Sequence, residues 1–176
     1  MSNLRYISTT EITSAVNTLN ISDVFTDDFD IYVIEGTGIT MTNGGGDYLY
    51  GRVINSSGSE ITSNYDYASQ YLPSSTTTIA EERLTSRTEW ESLNFIGAGT
   101  DDIGNITMYI FNPTNSSAYT FYTLQGSSFR TPSTINYMWK GIGVQKSTTS
   151  ITGIQFSAKT GNMDGGKFEI YGLGVS

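Results

Sequence analysis

The sequence predicts an all-β protein, an antiparallel β-sandwich that is jelly-roll-like and has one short connecting helix. Charged residues make up only 15% of the chain, whereas aromatic residues reach 12% and glycines number 19. This composition favours strands joined by polar turns, because helix surfaces are usually rich in Glu, Lys and Ala. Short segments of alternating or continuous apolar residues are also separated by turn residues at regular intervals. This spacing is typical of two packed antiparallel sheets.

The length of 176 residues is that of one domain with a single sizeable core. Residues 1–10 show no clear period, so they are predicted to be an N-terminal arm that is ordered only if something holds it. Residues 11–176 are predicted to be a single β-sandwich domain.

The first half of the chain is predicted to form several strands. Residues 10–19 fit either a helical face or a strand, and their threonine content favours the strand. Asn43 and the three glycines after it are a strong hairpin signal between the strands on either side of them. The remaining segments with strand character are 19–25, 29–35, 39–41, 47–54 and the tyrosine-rich 61–72.

A capping box predicts the one helix. In Thr78-Ile79-Ala80-Glu81, the threonine hydroxyl and the glutamate carboxylate can each satisfy a free backbone donor at a helix N-terminus. A short helix is therefore predicted from residue 79 to about residue 87, as a connector between two groups of strands.

The second half has a more regular pattern, which ends in a strand at residues 167–174. Phe168 and Ile170 alternate there with charged residues, as expected of a strand with one buried face. Residues 150–157 are its predicted local partner through a glycine-rich turn, and residues 29–34 are its predicted partner from far back in the chain. The other segments predicted as strands are 90–96, 106–111, 119–124 and 137–144.

Cysteine and histidine are both absent. The sequence therefore has no disulfide, thiol nucleophile or thiolate metal site, and it lacks the commonest general base and transition-metal ligand. These absences argue against most serine-hydrolase, zinc-hydrolase and nuclease mechanisms. We expect no catalytic residue, no metal site, no cofactor and no enzymatic activity.

The charge and hydropathy patterns argue against nucleic acid and membranes as partners. A formal net charge of −8 would repel a nucleic-acid backbone. No apolar run approaches the roughly 20 residues needed to cross a bilayer, and residues 1–6 lack the apolar middle of a secretory signal. We therefore expect a soluble protein that is made in a cytoplasm and binds neither nucleic acid nor membrane.

Two sets of carboxylates could in principle carry chemistry. The clusters at residues 27–30 and 101–102 could hold calcium, but they lack the spacing of the twelve-residue calcium loop, and a turn function is favoured over a metal site. Paired carboxylates could also hydrolyse a glycosidic bond, but the spacing singles out no pair. The candidates for that chemistry are Asp66, Glu81, Glu82, Glu89 and Glu91.

Tyrosines are concentrated in residues 48–71 and could stack on sugar rings or anchor a protein interface. For the group as a whole burial in the sheets is favoured, although residues 65–71 look too polar for a core. The residues predicted to contact a partner are Leu4, Tyr6, Ile7, Tyr65, Tyr67 and Tyr71.

Four short motifs resemble those of small virion structural proteins from tailed bacteriophages, particularly marine and cyanobacterial phages. The first reads Phe-Thr-Asp-Asp-Phe-Asp-Ile-Tyr over residues 25–32, and the second reads Ser-Asn-Tyr-Asp-Tyr over residues 63–67. An aromatic strand at residues 119–122 follows an Asn-Pro at residues 112–113. The fourth is Gly-Lys-Phe-Glu-Ile-Tyr-Gly-Leu over residues 166–173.

This resemblance implies a structural protein of the phage particle, a capsid decoration or cement protein that stabilises the head shell. The implied partners are the major capsid protein and sister copies, and by analogy with phage decoration proteins, which are commonly trimers, the assembly would be a homo-oligomer. The implied location is the virion. The alternative is a tail-fibre or tail-appendage module that binds a host surface glycan through the tyrosine-rich segment.

Overall fold

The computed structural model describes residues 3–131 and 133–174. Within these residues the chain forms twelve β-strands and no helix. The strands are β1 (Leu4–Glu11), β2 (Thr18–Ile21), β3 (Ile31–Met41), β4 (Asp47–Asn55), β5 (Tyr65–Pro73), β6 (Ala80–Arg87), β7 (Trp90–Ile96), β8 (Gly104–Phe111), β9 (Thr120–Arg130), β10 (Ile135–Gln145), β11 (Ile151–Ala158) and β12 (Met163–Leu173).

The strands form two antiparallel sheets. The larger sheet has eight strands in the order β1-β12-β3-β8-β9-β10-β5-β6, and the smaller has four in the order β2-β11-β4-β7. The predicted all-β, antiparallel sandwich is therefore confirmed. No helix in the described residues is long and apolar enough to span a membrane.

The core lies between the two sheets and is built from alternate residues of their strands. Trp90 of the smaller sheet is fully buried, and its ring contacts Tyr65 and Tyr122 of the larger sheet at centroid distances of 5.2 and 4.7 Å. Phe156 of β11 stacks on Phe168 of β12 at 4.2 Å. Large aromatic side chains therefore join the sheets, as expected for a sandwich.

The predicted helix is wrong. Residues 80–87 form β6, which pairs with β5 from Tyr71 opposite Ala80 to Tyr65 opposite Arg87. The capping box is a local signal, and here the amide of Thr78 donates to the hydroxyl of Thr76 at 3.2 Å while the residues after it pair with β5. Leu84 packs against the core while residues on either side of it are exposed, which is the period of a strand.

Prediction of the partners of the last strand was half right. β12 pairs with β3, with Ile170 opposite Ile34, so the predicted long-range partner at residues 29–34 is confirmed. The predicted local partner is wrong, because β11 belongs to the smaller sheet and lies across the core from β12. The glycine-rich turn thus carries the chain from one sheet to the other.

The turn at residues 43–46 behaves in the same way. The amide of Gly46 donates to the carbonyl of Asn43 at 2.7 Å, so a tight turn is present. It joins β3 in the larger sheet to β4 in the smaller sheet and is therefore not a hairpin.

The predicted N-terminal arm is held along one edge of the larger sheet. From Leu4 onward it forms β1 and pairs with β12, beginning with Leu4 opposite Leu173. Residues 1 and 2 of the predicted arm lie outside the described residues.

Candidate functional site

The face of the larger sheet that points away from the core is the candidate binding surface. Antiparallel register places outward-facing residues of neighbouring strands opposite one another, so this outer face consists of rows that run across the strands. One row is polar on all eight strands, and none of its residues is buried. This polar row is Thr9, Glu169, Glu35, Thr107, Gln125, Lys140, Gln70 and Glu81.

The two ends of the polar row are held by hydrogen bonds and ion pairs. The hydroxyl of Thr107 donates to Glu35 at 2.8 Å. The carboxylates of Glu169 and Glu81 pair with neighbouring cations, at 3.1 Å to Lys167 and 2.7 Å to Arg83.

The side chains at the centre of the polar row differ from those at its ends in their hydrogen bonding. Gln125, Lys140 and Gln70 are exposed, and within residues 3–131 and 133–174 their side chains make no hydrogen bond or ion pair with the protein. Three depressions of about 460, 400 and 290 Å³ meet here, and Lys140 lines all of them. The middle of the row therefore offers unpaired donors and acceptors in a recessed surface.

Two rows on one side of the polar row are mainly apolar, and we call them the apolar rows. The first is Tyr6, Tyr171, Val33, Tyr109, Thr123, Ile142, Ala68 and Arg83. The second is Leu4, Leu173, Ile31, Phe111, Phe121, Val144 and Asp66. Several of these side chains face solvent, with exposures of 58% for Ile142, 46% for Phe121 and 39% for Tyr109.

The apolar rows end in a depression of about 660 Å³ beside β6. Phe121 and Ile142 form part of its wall, and the charged residues Arg87 and Asp66 also line it. Asp66 accepts from Lys146 at 2.8 Å and from the amide of Ser86 at 2.8 Å, and these bonds lower the pKa of its carboxyl. The depression is thus lined by both apolar and charged side chains.

The structure separates the predicted partner residues into two groups. Leu4 and Tyr6 lie in the apolar rows, and both are exposed. Ile7 lies at a bulge of β1 and is partly buried against the core. Whether these three contact a partner stays a prediction.

The structure contradicts the predicted surface position of two of the three tyrosines of β5. Tyr65 and Tyr67 are buried in the core, and burial raises the pKa of both phenols. The hydroxyl of Tyr65 donates to the carbonyl of Ile61 at 2.8 Å, so its polar end is satisfied internally. Tyr71 stacks on the buried ring of Trp139 at 4.6 Å. Sequence polarity was misleading because the polar residues of β5 alternate with these rings and face outward.

The acidic clusters behave as turn residues. Asp102 is buried and accepts from the amides of Gly99 and Thr131 at 2.7 and 2.9 Å. Burial alone would raise its pKa, but the hydrogen bonds from Thr131 and Gly99 prevail and lower it. In the described residues no group of three or more acidic side chains is placed to hold a metal.

The carboxylates considered for hydrolysis are mostly engaged in ion pairs. Glu91 pairs with Arg87 at 2.6 Å, and Glu89 pairs with Arg52 at 3.2 Å. Burial raises the pKa of Glu89, and the charge of Arg52 partly offsets this.

The polar row and the apolar rows were not predicted from the sequence, because they are defined by the strand order and register.

No family model matches this chain. No curated protein matches it either. It is distantly similar to solved structures. One is a marine PL-14 alginate lyase from Aplysia kurodai, at 6% identity and a TM-score of 0.38, covering 87% of this chain and 72% of the other.

Two further structures are similar at lower scores. The CBM2 module of the evolved Dit of Lactobacillus casei BL23 phage J-1 has 10% identity and a TM-score of 0.27, covering 90% of this chain and 69% of the other. Alginate lyase A1-II′ of polysaccharide lyase family 7 has 8% identity and a TM-score of 0.27, covering 89% and 66%.

These similarities correct one prediction. The expectation that the chain has no enzymatic activity is contradicted by the similarity to two alginate lyases, and we do not carry it forward. No activity or substrate is transferred from those proteins to this chain.

Proposed function

We propose that this chain is a structural protein of a bacteriophage particle and decorates or cements the capsid through the apolar rows. The observation that supports this most strongly is the exposure of Ile142, Phe121 and Tyr109 together on the outer face of three neighbouring strands. Contiguous exposed apolar side chains of this kind mark protein interaction surfaces. The proposed partners are the major capsid protein and sister copies of the chain.

The apolar rows suit a contact that many copies repeat. They lie on paired strands, so binding would order little backbone and would lose little conformational entropy. Leu4 and Tyr6 extend the same rows onto the edge strand β1. The N-terminal segment therefore enlarges this surface.

The resemblance to phage virion proteins supports the same proposal. Residues of its motifs lie in the apolar rows, namely Phe121 of the aromatic strand and Tyr171 and Leu173 of the closing motif. The resemblance therefore includes surface positions as well as core positions such as Tyr32.

The test is attachment to the particle. Purified Ile142→Ser protein is mixed with particles that lack the chain, and bound copies per particle are counted by quantitative mass spectrometry after sedimentation. Ile79→Ser is the matched control, because Ile79 is exposed to 57% but lies outside the apolar rows. Loss of attachment for Ile142→Ser alone supports the proposal, and equal copy numbers for wild type and both variants contradict it.

A second candidate is adhesion to a host glycan as part of a tail fibre or tail appendage. The polar row favours it, because amide and ammonium groups that have no partner among the described residues line recessed surface there. Tyr65 and Tyr67, which were first considered for this role, are excluded by their burial. A few copies at the tail tip would support adhesion, whereas hundreds over the head would support decoration.

A further inference from the structure

We infer that the polar row binds a neutral, linear polysaccharide that lies across the strands of the larger sheet. This inference rests on the second candidate function and specifies its site, its ligand class and the direction of the ligand. Four properties of the described residues lead to it: spacing, hydrogen-bonding capacity, flanking side chains and charge.

The spacing of the polar row suits an extended polymer. Its members lie on successive strands, and neighbouring strands are about 4.8 Å apart. Eight strands carry the row without interruption from Thr9 on β1 to Glu81 on β6. Sugar rings of an extended polysaccharide repeat with a period close to the strand spacing. A linear glycan can therefore meet a new side chain at nearly every ring.

The centre of the row has the hydrogen-bonding groups that sugar hydroxyls need. A hydroxyl both donates and accepts, and so does the amide of Gln125 or Gln70, while Lys140 donates. Within the described residues these three side chains make no hydrogen bond or ion pair with the protein. Binding a glycan would therefore exchange water for sugar without breaking a bond in the protein.

Apolar side chains flank this centre on both sides. Tyr109 and Ile142 lie one row away on one side, and Met138 lies one row away on the other with 58% exposure. Two residues along a strand correspond to about 6.8 Å. The apolar faces of sugar rings can rest on these side chains while the ring hydroxyls reach the polar row.

The charge around the row favours a neutral ligand over an acidic one. The row and its ion-pair partners carry three carboxylates and three cations, which cancel. The carboxylates are Glu169, Glu35 and Glu81, and the cations are Lys140, Lys167 and Arg83. The whole chain has a net charge of −8, so it would also repel an acidic polymer at a distance.

The test is binding of the purified chain to polysaccharides of defined structure. A panel of neutral linear polymers, namely cello-, xylo- and manno-oligosaccharides, is compared by calorimetry with a polyuronate. The double variant Gln125→Ala with Lys140→Ala should weaken binding of the neutral ligand by about tenfold or more, which corresponds to about 1.4 kcal/mol. Lys159→Ala is the control, because this exposed lysine follows β11 of the smaller sheet.

Each outcome bears on one part of the inference. Tight binding of a neutral polymer that only the double variant loses supports it. Preference for the polyuronate overturns the ligand class, and neutral binding that the double variant retains overturns the site. If no polysaccharide binds, glycan adhesion itself is rejected, and attachment through the apolar rows is still tested by Ile142→Ser.

Discussion

Phe156 and Phe168 stack face to face across the core, with ring centroids 4.2 Å apart and ring planes 7° from parallel. Each ring is fully buried, and each belongs to a different sheet. This contact packs β12 of the larger sheet against β11 of the smaller sheet.

Phe168→Ala is expected to lower the free energy of unfolding by about 3 to 5 kcal/mol, because it removes buried contacts and leaves a cavity. Phe121→Ala is the matched control, since Phe121 is 46% exposed on the outer face. Urea denaturation of both variants checks this. Similar losses for the two variants would contradict the assignment of core and surface.

Gly143 and Gly141 of β10 are two substitution sites on the same strand that differ in the space available for a side chain. A Cβ at Gly143 would collide with the ring of Tyr122, whereas a Cβ at Gly141 would have its nearest neighbour at 3.6 Å, an ordinary contact distance. Gly143→Ala is therefore expected to destabilise the protein by about 1 to 3 kcal/mol through overpacking. Gly141→Ala should change stability little. Equal melting temperatures for the two variants would show that the inner face of β10 packs differently.

Asp102→Asn tests the buried carboxylate. The substitution should lower the free energy of unfolding by about 2 to 3 kcal/mol at neutral pH, because the amides of Gly99 and Thr131 lose a charged acceptor. The pKa of Asp102 is lowered in the folded state, so its contribution is present above the pKa of an unfolded aspartate and is lost as the pH falls through the folded value. The difference in free energy of unfolding between wild type and variant should therefore become smaller below about pH 4.

The control for that experiment is the adjacent, exposed Asp101. Asp101→Asn should leave stability near that of wild type at every pH. If the difference in free energy of unfolding between wild type and Asp102→Asn is independent of pH, the carboxylate charge contributes nothing to folding stability.

Self-association should depend on the apolar rows if sister copies bind through them. Phe121→Ser combined with Ile142→Ser is expected to shift sedimentation toward monomer, because both side chains are exposed apolar groups on neighbouring strands. Gln125→Ala with Lys140→Ala should leave the oligomer unchanged. An oligomer that both double variants preserve would place the copy-to-copy contact elsewhere on the chain.

The sequence allowed the fold class and several strands to be predicted, because alternation is a local property. Phe168 and Ile170 identified β12, and its pairing with residues 29–34 followed from the need for a distant partner. Sheet membership could not be predicted in the same way. A glycine-rich turn reverses the chain equally well within one sheet or between two, so Asn43 and residues 161–166 gave no indication that the chain changes sheets there.

The candidate site was harder to predict for a related reason. Lys140 lies opposite Gln125 on one side and Gln70 on the other, and these pairings depend on the register of strands from distant parts of the chain. On β5, polar and aromatic residues alternate, so the sequence showed many tyrosines without showing that Tyr65 and Tyr67 face the core. Composition pointed to a binding surface but not to the face that carries it.

The most direct test of the central claim is the reactivity of the outer face in assembled particles. The chain has no cysteine, so Thr123→Cys places a single thiol in the apolar rows, and Thr18→Cys places one on β2 of the smaller sheet. Both positions are exposed in the free chain, and a maleimide should label both variants readily. In the particle, labelling of Thr123→Cys should slow by about tenfold or more, because reaction must await dissociation, while Thr18→Cys should keep its free rate. Labelling of Thr123→Cys at the same rate in particle and solution would contradict the claim that this face binds the partner.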